Sequence, residues 1–94
     1  MHAAERRTRE KIVKVRALFF AVTRDLAGTD EATIDVPGEA PTVADFVHAI
    51  EADYPELRGR MASVRVARNE RFSAPSVVLA EGDVLALVPP VSGG

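Results

Sequence analysis

The sequence predicts an α+β fold, a mixed sheet of four to five strands with one main helix packed on one face. Three observations carry this expectation. Residues 12–22 alternate at the period of a strand, residues 43–50 place apolar side chains at helical spacing, and residues 84–88 are apolar without interruption, as in a strand flanked by others. With 94 residues, 47% hydrophobic and 28% charged, the chain has the balance of one globular domain.

In the first element, Ile12 to Val22, one strand face holds Val13, Val15, Ala17, Phe19 and Ala21. The opposite face begins with Lys14 and Arg16 and continues with Leu18, Phe20 and Val22, turning from polar to apolar midway. Thr23 to Gly28 reads as a capped single turn with a glycine stop. Glu31 to Val36 is expected to form a short second strand, ended by Pro37-Gly38. Thr42 with Asp45 three residues on is a variant capping box and starts a helix just after Pro41. Val43, Phe46, Val47 and Ile50 form its buried stripe, Asp45, His48 and Glu51 lie off it, and Pro55 ends it.

His48 has no Ser, Cys or paired carboxylate pattern around it and reads as a solvated surface histidine. Ala62 to Arg68 alternates again, with Val64 and Val66 inward and Ser63 and Arg65 outward. Asn69-Glu70 is expected to turn tightly, because Asn tolerates a left-handed backbone, and Phe72 falls on or near the returning segment. Val77 to Leu79 reads as a short strand, Glu81-Gly82 as a turn, and Asp83 to Val88 as the last and central strand.

Composition removes several function classes. No apolar run approaches the roughly 18 residues of a membrane span, and no leader pattern is visible, so a cytoplasmic protein without a membrane partner is expected. Cysteine is absent, which excludes disulfides, thiolate metal sites, iron–sulfur clusters and a cysteine nucleophile, and no metal site is expected. Residues 1–16 hold six basic and two acidic residues, net +4, whereas residues 17–94 hold six arginines and twelve acids, net −6. The acidic body disfavours nucleic acid and favours a partner with a basic face. Residues 1–11 read as a disordered basic extension outside the folded domain of residues 12–88.

If Ala17, Phe19, Leu85 and Leu87 face the helix, then Leu18, Phe20, Ala86 and Val88 lie on the uncovered face, with Phe72 beside them. Apolar side chains grouped on one open face make a recognition surface. Residues 89–94, Pro89-Pro90-Val91-Ser92-Gly93-Gly94, close the sequence as an expected flexible tail. Its prolines stop the preceding strand, and its two glycines can enter a channel that a side chain would block. From Val91 to Gly94 the reach is about 13 Å, enough to place a carboxylate inside another protein's pocket. A docking face beside a slim tail suits a carrier.

From about Val13 to Gly94 the chain resembles the small subunit of molybdopterin synthase, a ubiquitin-like β-grasp sulfur carrier. The resemblance rests on Leu18-Phe19-Phe20-Ala21, on Thr23-Arg24-Asp25-Leu26-Ala27-Gly28, and on Glu81-Gly82-Asp83 with the closing Pro89-Pro90-Val91-Ser92-Gly93-Gly94. It implies that Phe20, Phe72 and Val88 contact a large subunit, within a heterotetramer, and that Gly94 is the activated residue. A ubiquitin-activating-like adenylyltransferase would use ATP and Mg²⁺ to form an acyl-adenylate on Gly94, and persulfide sulfur would displace AMP. The resulting thiocarboxylate would pass sulfur to a cyclic pterin precursor, with no cofactor bound by this chain itself. A sulfur carrier for another pathway (thiamine, cysteine or tRNA thiolation), a ubiquitin-like protein modifier and a plain interaction domain are the alternative readings.

Overall fold

A computed structural model describes residues 11–90. Its five-stranded sheet contains β1 (Ile12–Phe19), β2 (Glu31–Pro37), β3 (Arg65–Arg68), β4 (Arg71–Phe72) and β5 (Val84–Val88) in the spatial order β2-β1-β5-β3-β4. β1 pairs antiparallel with β2 and parallel with β5, while β3 pairs antiparallel with both β5 and β4. Two helices, α1 (Val22–Ala27) and α2 (Val43–Asp53), and two short 3₁₀ turns, Pro55–Leu57 and Met61–Ser63, complete the described chain. The mixed sheet, the single main helix and the central position of β5 match the sequence expectation.

α2 begins where the sequence marks it. The Thr42 hydroxyl accepts a hydrogen bond from the Asp45 amide, and the Asp45 carboxylate accepts one from the Thr42 amide, closing a capping box. Val43, Phe46 and Ile50 are buried on the face toward the sheet, whereas Val47 is only half-buried and borders a groove. Together with Val15, Ala17 and Phe19 of β1, Ile34 and Val36 of β2 and Leu85 and Leu87 of β5, they form one core. Tyr54, at the end of α2, packs edge-to-face on Phe19 with ring centroids 5.2 Å apart.

Several boundaries depart from the sequence reading. β1 ends at Phe19 rather than at Val22, because Ala21 adopts φ 53° and turns the chain, and Val22 opens α1. Thr23 is therefore inside that helix and not at its cap; the stop at Gly28, with φ 78°, is as expected. The stretch from Ala62 is strand only from Arg65, since Met61–Ser63 forms a 3₁₀ turn that buries Met61.

Val77 to Leu79 is no strand of the sheet and makes a single bridge, between Val78 and Thr42. Its neighbourhood serves α2 instead. The Val77 and Pro75 carbonyls accept hydrogen bonds from the Val43 and Ala44 amides, two of the first-turn donors that a helix cannot satisfy internally. The strand that takes its place in the sheet is β4, Arg71–Phe72, returning from a turn in which Asn69 and Glu70 have φ 50° and 75°, the pairing of positive values typical of a tight hairpin.

Asp83 lies just before β5, not within it, and is buried. Its carboxylate accepts hydrogen bonds from the Ala80 amide at 2.8 Å, the Asn69 side-chain amide at 3.0 Å and the Arg68 guanidinium at 2.7 Å. Asn69 also accepts from the Val84 amide, so the β3–β4 hairpin is tied to the start of β5. Burial alone would push the Asp83 pKa up, but the Ala80, Arg68 and Asn69 hydrogen bonds and the Arg68 charge outweigh it and hold the group below its ordinary value of 3.8. A carboxyl depressed in the folded state adds stability that is present above the unfolded value and is lost as pH falls through the folded one. Urea unfolding should therefore show stability declining below about pH 4, and Asp83→Asn should cost about 1–3 kcal/mol at pH 7 and flatten that decline.

Candidate functional site

The strand register sorts the sheet's open face into two halves. Over β1 and β2 it is charged and internally neutralised: Lys14 pairs with Asp35 at 2.9 Å and Arg16 with Glu31 at 2.6 Å. The hydrogen bond and charge of Asp35 hold the Lys14 ammonium above its ordinary value of 10.5. Toward β5 and β3 the face becomes apolar. Leu18, Ala86, Ala67 and Phe72 are successive partners across β1, β5, β3 and β4, one row of side chains over four strands.

Leu18, Phe20 and Ala86 surround one open depression of about 460 Å³, with Ala67, Asn69, Glu70 and Val84 completing its wall. Phe20 is 46% exposed and Phe72 53% exposed, a large apolar area for residues of this size to leave in water. Leu18, Ala86 and Val88 are half-buried. Phe72 joins the row by register but borders a second groove rather than this depression, and the Arg65 guanidinium stacks on its ring at 3.9 Å. Arg65 is also the cross-strand partner of Val88, the last residue of β5.

Parallel pairing determines where the tail leaves. Phe19 lies opposite Leu87, so β1 and β5 end on the same side of the sheet, and Phe20 and Pro89 follow those ends directly. Pro89 is half-buried and Pro90 exposed. Val91, Ser92, Gly93 and Gly94 lie outside the described residues, as do residues 1–10 of the extension expected over residues 1–11. Among the described residues, no cluster of three or more His, Asp or Glu side chains is placed to hold a metal ion, and no helix is long and apolar enough to cross a membrane. His48 is exposed on α2, away from the depression's lining.

Thr23, expected from the sequence at a helix cap, instead positions Phe20. The Thr23 side chain, fully buried, accepts a hydrogen bond from the Phe20 amide at 2.9 Å and donates one to the Phe20 carbonyl at 2.6 Å. This clamp closes around Ala21, whose positive φ is costly for a residue with a Cβ. The turn thereby carries the chain from β1 into α1 while leaving the Phe20 ring outside the core. The only trace in the sequence is a threonine three residues after the aromatic, a spacing that also fits a helix cap.

These features define a ubiquitin-like β-grasp protein with an apolar open face beside the exit of its C-terminal segment. The chain belongs to the ThiS family, whose model matches residues 17–94. It is 34% identical over 90 residues to the molybdopterin synthase sulfur carrier subunit of Drosophila simulans, covering 88% of this chain and 93% of that protein. The sulfur carrier subunit of Arabidopsis thaliana is 30% identical, with 87% of this chain and 84% of that one covered. Among solved structures, the Haloferax volcanii small archaeal modifier protein 1 superposes with a TM-score of 0.78 at 30% identity, covering 84% of this chain and 99% of that one.

Replacing Thr23 by Val removes both side-chain hydrogen bonds and leaves the part-buried Phe20 amide without that partner. The expected loss of unfolding free energy is about 1–3 kcal/mol, with Thr23→Ser retaining most of it. Denaturant titration of the two variants tests the clamp, and equal stability of Thr23→Val and the wild type would remove it.

Proposed function

We propose that this chain is the sulfur carrier subunit of a molybdopterin synthase, loaded at the Gly94 carboxylate and unloaded inside a large subunit. The observation that carries this reading is the family match, which extends through Gly94, joined to relatives of that name along nearly their whole length. The physical arrangement agrees with it. The apolar face formed by Leu18, Phe20, Ala86 and Val88 stands beside the root of the tail, Pro89-Pro90, so a partner gripping the face receives the segment that follows.

In this reading an adenylyltransferase joins the Gly94 carboxylate to the α-phosphate of ATP, with Mg²⁺ and release of pyrophosphate. A persulfide sulfur displaces AMP, and a thiol cleaves the remaining S–S bond to leave the thiocarboxylate. That sulfur is the nucleophile toward the cyclic pterin precursor, and hydrolysis returns the carboxylate. Val91, Ser92 and Gly93 thread the partner's active site. The large subunit supplies acid–base groups, in a heterotetramer at work in the cytoplasm. No described residue of this chain is asked to do chemistry; the body serves to dock and to aim.

Coexpression with an adenylyltransferase and a sulfur source should give a chain whose intact mass shows one oxygen replaced by one sulfur, and deletion of Gly94 should abolish the change. Unchanged mass under conditions that load a known carrier would end the proposal. Independently, Phe20→Asp should weaken binding to a molybdopterin synthase large subunit by about a hundredfold or more while shifting unfolding free energy by under about 1 kcal/mol. Calorimetric titration checks the binding, and denaturant titration the stability.

A second reading, a protein modifier joined through Gly94 to lysine amines, has the likeness to the small archaeal modifier protein in its favour. It predicts high-mass conjugates in cells that vanish when Gly94 is deleted.

A further inference from the structure

A second groove, of about 540 Å³, lies where the first half of α2 meets the Met61–Ser63 turn and the β3–β4 edge. Val43, Val47, Met61, Val64 and Phe72 give it an apolar lining. Among the described residues its lining holds two titratable side chains, those of His48 and Arg65, both exposed, and no carboxylate. Of the face described above it shares only Phe72 among the residues that line the two depressions or the cross-strand row.

The stretch of chain that forms the β3 side of this groove is rich in arginine. Five of the six arginines beyond residue 16, namely Arg58, Arg60, Arg65, Arg68 and Arg71, fall between residues 58 and 71, a stretch with a single acid, Glu70. Within a body of net −6 this stretch is net +4. Among the described residues only Arg68 of the five is ion-paired, to Asp83. Arg58, Arg60, Arg65 and Arg71 are exposed, and they flank the groove residues Met61, Val64 and Phe72 in the chain. Arg65, stacked on Phe72, lines the groove and has no carboxylate partner among the described residues.

We propose that this groove docks an acidic segment of a partner protein that carries an apolar anchor. The anchor enters between Val47, Met61 and Val64, and the carboxylates meet Arg65 and the neighbouring arginines. An apolar cleft alone would accept an anchor with flanks of any charge; a lining whose one guanidinium, that of Arg65, meets no carboxylate among the described lining residues makes acidic flanks favourable beside β3 and basic ones repulsive. The volume is that of a small-ligand or side-chain-cluster pocket. The groove uses no residue of the tail and meets the expected large-subunit contacts only at Phe72.

The test is a titration of the full isotope-labelled chain with the peptide acetyl-Glu-Glu-Leu-Phe-Glu-Glu-amide at low salt, alongside the same peptide with every Glu replaced by Gln. Saturable amide shifts are expected at Ala44, Val47, Ala62, Val64 and Arg65, with the acidic peptide binding about five- to tenfold more tightly and the difference shrinking in high salt. Arg65→Gln should close most of that difference. Ala62→Glu, at an exposed position on the groove wall, should weaken the acidic peptide about tenfold without moving the thermal midpoint. Equal affinity for the two peptides, shifts confined to Leu18 and Ala86, or indifference to Ala62→Glu would each overturn the proposal. None of these outcomes bears on sulfur loading at Gly94, which the intact-mass measurement decides separately.

Discussion

The parallel pairing of β1 with β5 is the constraint on which the rest of the structure depends. It places the two strands side by side at the centre of the sheet, so Ala17, Phe19, Leu85 and Leu87 form an unbroken buried surface under α2. It also makes both strands end on the same side. An antiparallel pair would have sent the aromatic after β1 and the proline pair after β5 to opposite ends of the molecule. Because the pair is parallel, an exposed phenylalanine and the root of the tail stand together, and docking and delivery become one geometric event.

Around that pair the open face is divided by the chemistry of its cross-strand partners. Lys14 with Asp35 and Arg16 with Glu31 neutralise one half and keep it solvated. Such exposed pairs contribute little stability, and their effect is to match a cation with an anion on that half of the face. The other half, from Leu18 through Ala86 and Ala67 to Phe72, is apolar and remains in contact with water. Two polar devices hold this half in shape from outside it. The Thr23 clamp sets the turn that exposes Phe20, and the Asp83 carboxylate joins Ala80, Arg68 and Asn69 so that the β3–β4 hairpin and β5 stay in register. Both are buried polar groups with satisfied partners, which specify one arrangement more sharply than apolar packing does.

Net charge by itself pointed toward a partner with a basic face. The distribution in the fold is more local than that. The acids of the body outnumber its arginines twofold, yet five of the six arginines fall between residues 58 and 71, a stretch that borders a groove with no carboxylate among its described lining residues. A partner contacting the β3–β4 edge meets a basic surface, whatever the sign of the whole molecule. Long-range attraction follows the total, whereas close recognition follows the charges within a Debye length, about 8–10 Å at ordinary ionic strength.

What the sequence determined alone was local in origin. The alternation of β1, the apolar run of β5, the capping box at Thr42 and the turn at Asn69-Glu70 each depend on residues close in the chain, and each is present in the structure. The assignment of Leu18, Ala86 and Val88 to one face followed from parity along two strands, and pairing sets Leu18 opposite Ala86; Phe20 lies beyond the end of β1 and reaches the same depression through the turn rather than by parity. Tertiary structure decided the rest. An alternating stretch such as 62–68 cannot reveal that its first residues turn to bury Met61, and Val77–Leu79 looks like a strand until the amides of α2 need its carbonyls. The strain at Ala21, the grip of Thr23 and the convergence of Asp83 with Arg68 and Asn69 all require partners brought together by the fold. Periodicity records which side of an element is apolar; only packing decides which distant group satisfies a buried donor or charge, because that choice belongs to the pair and not to either residue.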